Sequence, residues 1–299
     1  MRFMVTGCEG YIGKHLVTEL GRRYPHAYIK HIDIDDECDG VEDEIFDCVF
    51  HLAAHSNIDV CNLNKFTTFN ENIGITGWLL EDISKGKLNV RNFVFASSAA
   101  VYNPNASGVY VESDELVSIE DVNNSYGLSK VVCENLLGKA RKEFGLKYVA
   151  LRLSNVSGEV PPCRENHQPE THLIPRLLYW DNDKDGNFPV YGSAEQVRDY
   201  IHVGDVVDAM IKSYETMSNT GPEIWGAINI SSGIGHSIEE IIELVNRRRN
   251  LSSLGMIKYE IVNPRQGDSS KLVLDNTLAN DVLKWSSKHD IGSIINSYR

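Results

Sequence analysis

Short apolar runs alternate with helix-length amphipathic segments through the first half of the chain. The runs Phe3–Thr6, Tyr28–Ile32, Cys48–Ala53, Phe93–Ala96 and Tyr148–Leu153 look like buried strands. Between them, Tyr11–Tyr24, Asn72–Ser84 and Ser125–Phe144 repeat apolar positions at helical spacing. Strand–helix alternation of this kind predicts an α/β fold with a parallel sheet covered on both faces.

The texture changes after about Asn155, where Pro161, Pro162, Pro169, Pro175 and Pro189 punctuate a loop-rich stretch. Later elements are mixed: a helix over Val203–Met217, a strand at Ala227–Ile230, a helix over Ser237–Arg248 and a strand at Ile257–Val262. The reading is two parts sharing a cleft: a doubly wound part over 1–153, and a smaller α/β part over 154–299. Segments within 199–230 are candidates to return to the first part. Arg247, Arg248 and Arg249 read as cations complementing a helix C-terminus rather than as a phosphate site.

The chain of 299 residues is 42% hydrophobic and 24% charged, ordinary for a globular protein with a substantial core. Its net charge of −13 repels nucleic-acid phosphate and anionic membranes, so neither is expected as a partner. A phosphate-bearing small substrate would need local cations or helix N-termini. The six cysteines form no CxxC pair and no zinc spacing, so no metal is expected, and reduced thiols suit the cytoplasm. No basic segment with a long apolar run opens the chain, and 18 consecutive apolar residues occur nowhere, so neither signal peptide nor membrane span is expected.

Chemistry enters with Gly7-Cys8-Glu9-Gly10-Tyr11-Ile12-Gly13, which follows the first strand and opens the first helix. Glycines allow a tight turn and the close approach of backbone to a pyrophosphate, and the helix N-terminus supplies free N–H groups. The spacing is GxxGxxG rather than GxGxxG, and alone it fits an ordinary glycine-rich turn equally well. Asp33 ends the second strand, where an acid would bond the adenosine ribose and repel a 2′-phosphate. Together these predict a Rossmann-type domain that takes NAD.

Tyr126 and Lys130 stand at i and i+4 on one helix face, where an ammonium would lower the phenol's pKa. Ser98 follows the Phe93–Ala96 strand and faces the cleft, placed to pass a proton to or from Tyr126. Taken singly, the pair reads as surface decoration and Ser97-Ser98 as a turn or cap.

Glycine motif, Asp33, His51-Leu52-Ala53-Ala54, Asn72, Ser98 and the Tyr126/Lys130 pair occur in the order found in the extended short-chain dehydrogenase/reductases. The chain resembles that family from Arg2 to about Trp285, and within it the NAD-dependent UDP-glucose 4-epimerases most. Leu151–Asn155, Glu170–Pro175, Val197–Val203 and Arg265–Asp268 resemble epimerase segments. The resemblance implies that Gly7, Gly10, Tyr11, Ile12 and Gly13 bind the pyrophosphate and Asp33 the adenine ribose. Leu52, Ala53, Ala54 and Asn72 would line the nicotinamide half. Ser98, Tyr126 and Lys130 would be catalytic, Tyr126 and Lys130 also contacting the cofactor. Asn155, His172, Leu173, Tyr191, Arg198, Arg265 and Asp268 would hold a UDP-sugar together with Ser98. Arginine's fork suits a diphosphate in an acidic protein.

The resemblance also sorts the reaction. Dehydratases of the family carry Asp-Glu where this chain has Ala99-Ala100, decarboxylases carry a Glu there, and fucose synthases carry a Cys at the Ala99 position. What remains is oxidation at C4, rotation of the 4-keto sugar and hydride return. A carbonyl reductase should lack paired phosphate-binding arginines, and a dinucleotide sensor should lack the Tyr/Lys pair. Only 17 residues separate Asp33 from His51, where relatives fit another strand and helix, so one unit around 34–47 is shortened and a weaker hold on the adenine is implied. Leu272 stands where a bulky Tyr restricts relatives to glucose and galactose, which implies room for N-acetylated sugars. Helices 72–84 and 125–144 resemble the pair that forms a homodimer interface.

Overall fold

The computed structural model describes residues 1–33, 44–104, 108–120, 124–165, 170–219, 226–250, 255–264 and 269–299. Its centre is a six-stranded, all-parallel sheet. The order is Gly226–Ile230, Tyr148–Leu153, Phe93–Ser98, Cys48–His51, Arg2–Thr6, Tyr28–Ile32. The expected α/β parallel sheet is therefore present, and the chain reverses its direction of growth between Arg2–Thr6 and Cys48–His51. Such a switch point opens a crevice at the carboxyl ends of the two strands.

Alternate residues of each strand feed two separate cores. Phe3, Val5, Phe50, Val94, Val149 and Leu151 pack with Leu16, Leu20, Val206 and Met210 on one face. Met4, Val49, Phe93, Phe95 and Ala150 pack with Leu79, Leu80, Cys133 and Leu137 on the other. Helices Tyr11–Arg23 and Val203–Asn219 thus cover one face, and Lys65–Ser84 and Ser125–Phe144 the other. Burial on both sides explains why the central strands read as unbroken apolar runs.

Two elements depart from the sequence expectation. The strand expected over Cys48–Ala53 ends at His51, because the chain turns at Leu52 to close over Gly7. The helix expected from Asn72 begins at Lys65 and is preceded by a short helix, Ile58–Leu63. Its buried stripe is Thr68, Asn72, Thr76 and Leu79–Leu80, so the first half of the inward face is polar and leaves no apolar periodicity.

The second set of elements surrounds its own core. Strand Val197–His202 pairs with Gly235–Ser237, Lys271–Leu274 and Asn155–Ser157. Phe188–Tyr191 pairs in parallel with Tyr259–Val262. Helices Leu173–Tyr179, Ile238–Arg249 and Ile291–Ser297 contribute Ile174, Ile241, Val245 and Ile294 to this core. The arginine run does more than complement a helix dipole. Arg249 is buried and donates to the carbonyls of Gly255, Leu177 and Leu178, and Arg248 donates to those of Ile295 and Tyr298. Each fastens a neighbouring segment to helix Ile238–Arg249.

Behind the end of strand Phe93–Ser98 lies a buried ion pair. Arg152 meets Glu134 at 2.7 Å, and its guanidinium also donates to the Tyr102 hydroxyl and the Glu112 carbonyl. Ser97 donates to the same Glu134 at 2.5 Å. Glu134→Ala would strand the guanidinium without its counterion, and a loss of about 3 kcal/mol of folding stability is expected. Denaturant unfolding of the purified variant measures it, and a loss below about 1 kcal/mol would show that the pair is not the clamp described.

Candidate active site

Gly7 has φ +70°, and a Cβ there would meet the Ala53 nitrogen at 2.7 Å. A Cβ on Gly13 would come within 2.1 Å of the Gly7 carbonyl oxygen. Only glycine lets the first helix, the first turn and the Leu52–Ala54 loop approach this closely. Gly10 is the helix N-cap, makes no side-chain cap and is followed by no acid in the first turn. The helix therefore presents N–H groups and the positive end of its dipole to an anion. Ile12 packs against the sheet core behind it.

Asp33 stands at the rim of this turn, and its Oδ2 accepts the Glu9 N–H at 2.8 Å. Burial together with that carboxylate pushes the Cys8 thiol up. Tyr11 reaches away from the turn, donating to the Gly158 carbonyl at 2.5 Å. The expected pyrophosphate residue thus bridges the two parts of the chain through its side chain.

Under the Leu52–Ala54 loop, His51 is fully buried, and burial with the nearby Lys130 charge drives its pKa down to about 3. Thr76 donates its own proton to the Asn72 carbonyl, so His51 Nε2–H donates to Thr76 at 2.9 Å, and Nδ1 accepts from Thr6 at 2.7 Å. Thr6 in turn accepts the Ala53 N–H at 3.3 Å. Asn72 clamps the same loop from the other side. It accepts the His55 N–H at 2.8 Å, and its amide donates to the His55 carbonyl and to Ser129. Asn72 therefore holds the loop in place beneath the crevice.

Ser98 ends its strand, accepts the Ala100 N–H at 3.1 Å and hydrogen-bonds Tyr126. The turn expected at this serine is therefore present. Tyr126 lies in the first turn of helix Ser125–Phe144, whose N-cap Asn124 accepts the Gly127 N–H and donates to the Ala100 carbonyl at 2.7 Å. A Cβ on Gly127 would meet that carbonyl at 2.1 Å. Lys130 is buried one turn on, its ammonium bonded to the Ala96 carbonyl at 2.8 Å and over the Phe95 ring at 4.7 Å.

One expectation about this group is corrected. Lys130 was expected to lower the Tyr126 pKa, yet the ammonium lies 5.8 Å from the Tyr126 ring. Burial dominates both groups, raising Tyr126 to about 12 against a downward pull from the Ser98 hydrogen bond, and lowering Lys130 to about 8.

On the substrate side, Asn155 is exposed and donates to the Asp199 carbonyl at 3.0 Å. His172 caps helix Leu173–Tyr179 and pairs through Nδ1 with the buried Glu165. Leu173 packs on the second core. Tyr191 ends strand Phe188–Tyr191, and Arg198 opens Val197–His202, in register with Leu272. Arg265 and Asp268 lie outside the described residues.

Three residues the sequence reading passed over hold the site. Asn124 carries a sequence signal, an N-cap residue before a helix. Glu165 carries none. Asp199 is buried and accepts from Ser154, from Ser232 and Gly233 N–H groups and from Leu274. It pins the strand bearing Arg198, a role visible only once four distant segments are brought together.

A sequence profile described as the NAD dependent epimerase/dehydratase family matches residues 3–230. The UDP-glucose 4-epimerase of Lactobacillus helveticus is 32% identical, over 97% of this chain and 93% of its own length. That of Halalkalibacterium halodurans is 30% identical, over 97% of this chain and 91% of its own. The crystal structure of UDP-glucose 4-epimerase from Brucella ovis in complex with NAD superposes with a TM-score of 0.87 at 26% identity, covering 99% of this chain and 97% of that one.

The Lys130 shift has a consequence for the cofactor-free protein. The unfolded lysine keeps its proton to 10.5 and the folded one only to about 8. At this site the unfolded state therefore binds more protons between those values, and the Lys130 contribution to folding stability rises with pH from about 8 towards 10, while the Cys8, Cys48, Cys61 and Cys133 thiols, raised above 9.0, and Tyr126 act in the opposite sense. Denaturant melts from pH 7 to 10 should show the wild type gaining stability relative to Lys130→Met as the pH rises. Parallel profiles would contradict the assignment.

Proposed function

The chain belongs to the NAD-dependent epimerase/dehydratase family, and on that premise we propose that it interconverts UDP-sugars differing in configuration at C4. UDP-galactose and UDP-glucose are the first pair. The observation that carries this reading is the Ser98–Tyr126–Lys130 group at the carboxyl edge of the parallel sheet, with alanines at 99 and 100. The short side chains after Ser98 supply no further acid or base for elimination or decarboxylation.

The residues fit an NAD molecule. The uncapped helix start at Gly10, reached by a turn whose close backbone approach requires glycine at 7 and 13, suits a pyrophosphate. We assign Gly7, Gly10, Tyr11, Ile12 and Gly13 to that end, Asp33 to the adenine ribose, and Leu52, Ala53 and Ala54 to the nicotinamide half, with Asn72 fixing their loop. When bound, NAD would supply a hydride acceptor and donor for C4 and a positive charge beside the phenol.

The chain's own residues handle the proton and the geometry. As the phenolate, which Lys130 and the positive charge of bound NAD would favour over the effect of burial, Tyr126 would remove the proton of the sugar 4-hydroxyl and later restore it. Ser98 bonds the same oxygen and the phenol, keeping both in line. Lys130, held on Ala96, contacts the nicotinamide ribose and contributes its charge to the pocket. Arg198 and Arg265 hold the diphosphate, and Asn155, His172, Leu173, Tyr191 and Asp268 complete the nucleotide-sugar site. Anchoring the remote diphosphate leaves the sugar free to turn between the two hydride transfers. Leu272, in register with Arg198, supports acceptance of N-acetylated UDP-sugars.

The protein acts as a homodimer in this reading. Helices Lys65–Ser84 and Ser125–Phe144 pack side by side on the outer face of the sheet, and Trp78 and Phe144 stand partly exposed on them. The described cysteines are free thiols and no described helix is long and apolar enough to cross a membrane, which supports a cytoplasmic enzyme.

Wild-type protein should convert UDP-galactose to UDP-glucose with NAD present in catalytic amount and no net NADH, and added NAD should raise the rate because only 17 residues, those at 34–43 outside the described ones, separate Asp33 from His51. Tyr126→Phe should lower kcat by about 10²- to 10⁴-fold while NAD still binds. Absence of conversion by an NAD-bound wild type, followed by NMR, would overturn the assignment. For the assembly, Trp78→Glu should halve the mass seen by light scattering, and a monomeric wild type at micromolar concentration would refute the dimer.

A further inference from the structure

A line of hydrogen bonds crosses the molecule behind the substrate segment. It starts at Tyr11, whose hydroxyl donates to the Gly158 carbonyl at 2.5 Å. The Gly158 N–H donates to the Tyr298 hydroxyl at 2.8 Å, and that hydroxyl donates to Glu165. The second oxygen of Glu165 bonds Nδ1 of His172. The line then closes on itself, because the His172 ring meets the Tyr11 ring edge-on with centroids 6.3 Å apart.

Two members of this ring are buried. Tyr298 is 2% exposed and the Glu165 side chain is fully buried. We propose that Glu165 and Tyr298 are positioning residues that hold His172 and the Glu170–Pro175 segment in the arrangement that grips the nucleotide sugar. The proposal rests on the placing of His172 in the nucleotide-sugar site under the proposed function.

A carboxylate without water is tolerated only if each oxygen is bonded, and here one oxygen takes a phenol proton and the other an imidazole proton. Donation from Nδ1 orients the imidazole and leaves Nε2 as the acceptor when the ring is neutral. Glu170 adds a second fix, accepting the N–H groups of Thr171 and His172, both at 2.8 Å. Tyr298 is itself held. Arg248 donates to its carbonyl, and the neighbouring Ser297 accepts the Glu159 N–H at 2.9 Å. Burial and the Glu165 charge both raise the Tyr298 pKa, so the phenol keeps the proton it donates. Helix Ile291–Ser297 therefore fixes the substrate segment through one hydroxyl.

The test uses the full chain with Tyr298→Phe, Glu165→Gln and the double variant, each assayed at a temperature where it is fully folded. UDP affinity is read by calorimetry, and KM and kcat for UDP-galactose by steady-state kinetics. Each single change should weaken UDP binding and raise KM roughly tenfold, with kcat within about twofold of wild type. The double variant should be no worse than the poorer single one, because both break the same line. Tyr179→Phe, which removes only a bond to the Arg299 carbonyl, should leave UDP affinity unchanged. Unchanged UDP affinity in folded Tyr298→Phe, a fall in kcat alone, or additive losses in the double variant would each overturn the proposal. If the wild type binds UDP but epimerises nothing, the proposed reaction fails and the UDP titrations still decide this inference. If it does not bind UDP, both fail.

Discussion

The first turn of helix Ser125–Phe144 lies against the carbonyl of Ala100, at a distance that leaves no room for a Cβ on residue 127. Asn124 locks the contact by bonding both the Gly127 N–H and that carbonyl. This approach sets where Tyr126 stands relative to Ser98, and one turn later where Lys130 meets Ala96. From the opposite side, Asn72 bonds Ser129 and the backbone of His55, so the same helix also fixes the loop beneath the crevice. A single close helix-to-turn contact thus registers Tyr126 and Lys130 against the loop beneath the crevice. A second one, of Gly13 on Gly7, builds the glycine turn itself.

Electrostatics around these contacts are arranged by burial more than by charge pairing. Tyr126 and Lys130 are pushed towards their neutral forms by the same apolar surroundings. The helix start at Gly10 offers N–H groups and a helix dipole in a chain of net charge −13, where free cations are scarce. The buried charges that do occur, Glu134 with Arg152, Asp199 with its ring of donors, and Glu165 with Tyr298 and His172, each fasten a segment that carries a site residue. An unpaired member would be costly, so these clusters fix the positions of strands and loops that hydrophobic packing alone would leave free to slide.

The sheet was legible because its strands are buried on both faces and spell continuous apolar runs. The glycine turn, Asp33 and the Tyr126/Lys130 pair were legible because local spacing carries them. Helix Lys65–Ser84 was half hidden, since Thr68, Asn72 and Thr76 place polar groups on its buried stripe. The short helices Leu173–Tyr179 and Ile291–Ser297 offer too few turns for periodicity to register. Glu165 and Asp199 were invisible for a different reason. Their partners lie far along the chain, and a buried carboxylate looks like a surface one until its donors are in place. The Tyr126 acidity was misjudged because i, i+4 spacing gives proximity along a helix but says nothing of the carbonyl that holds the ammonium.

The central claim is that hydride leaves C4 of the sugar and returns to the same carbon within one site. UDP-galactose carrying deuterium at C4 tests it most directly, with the product followed by NMR and mass spectrometry in ordinary water. The account predicts UDP-glucose that retains the deuterium at C4, with none lost to solvent and none left in free NADH. Product in which the label has washed out, or has moved to another sugar carbon, would contradict it.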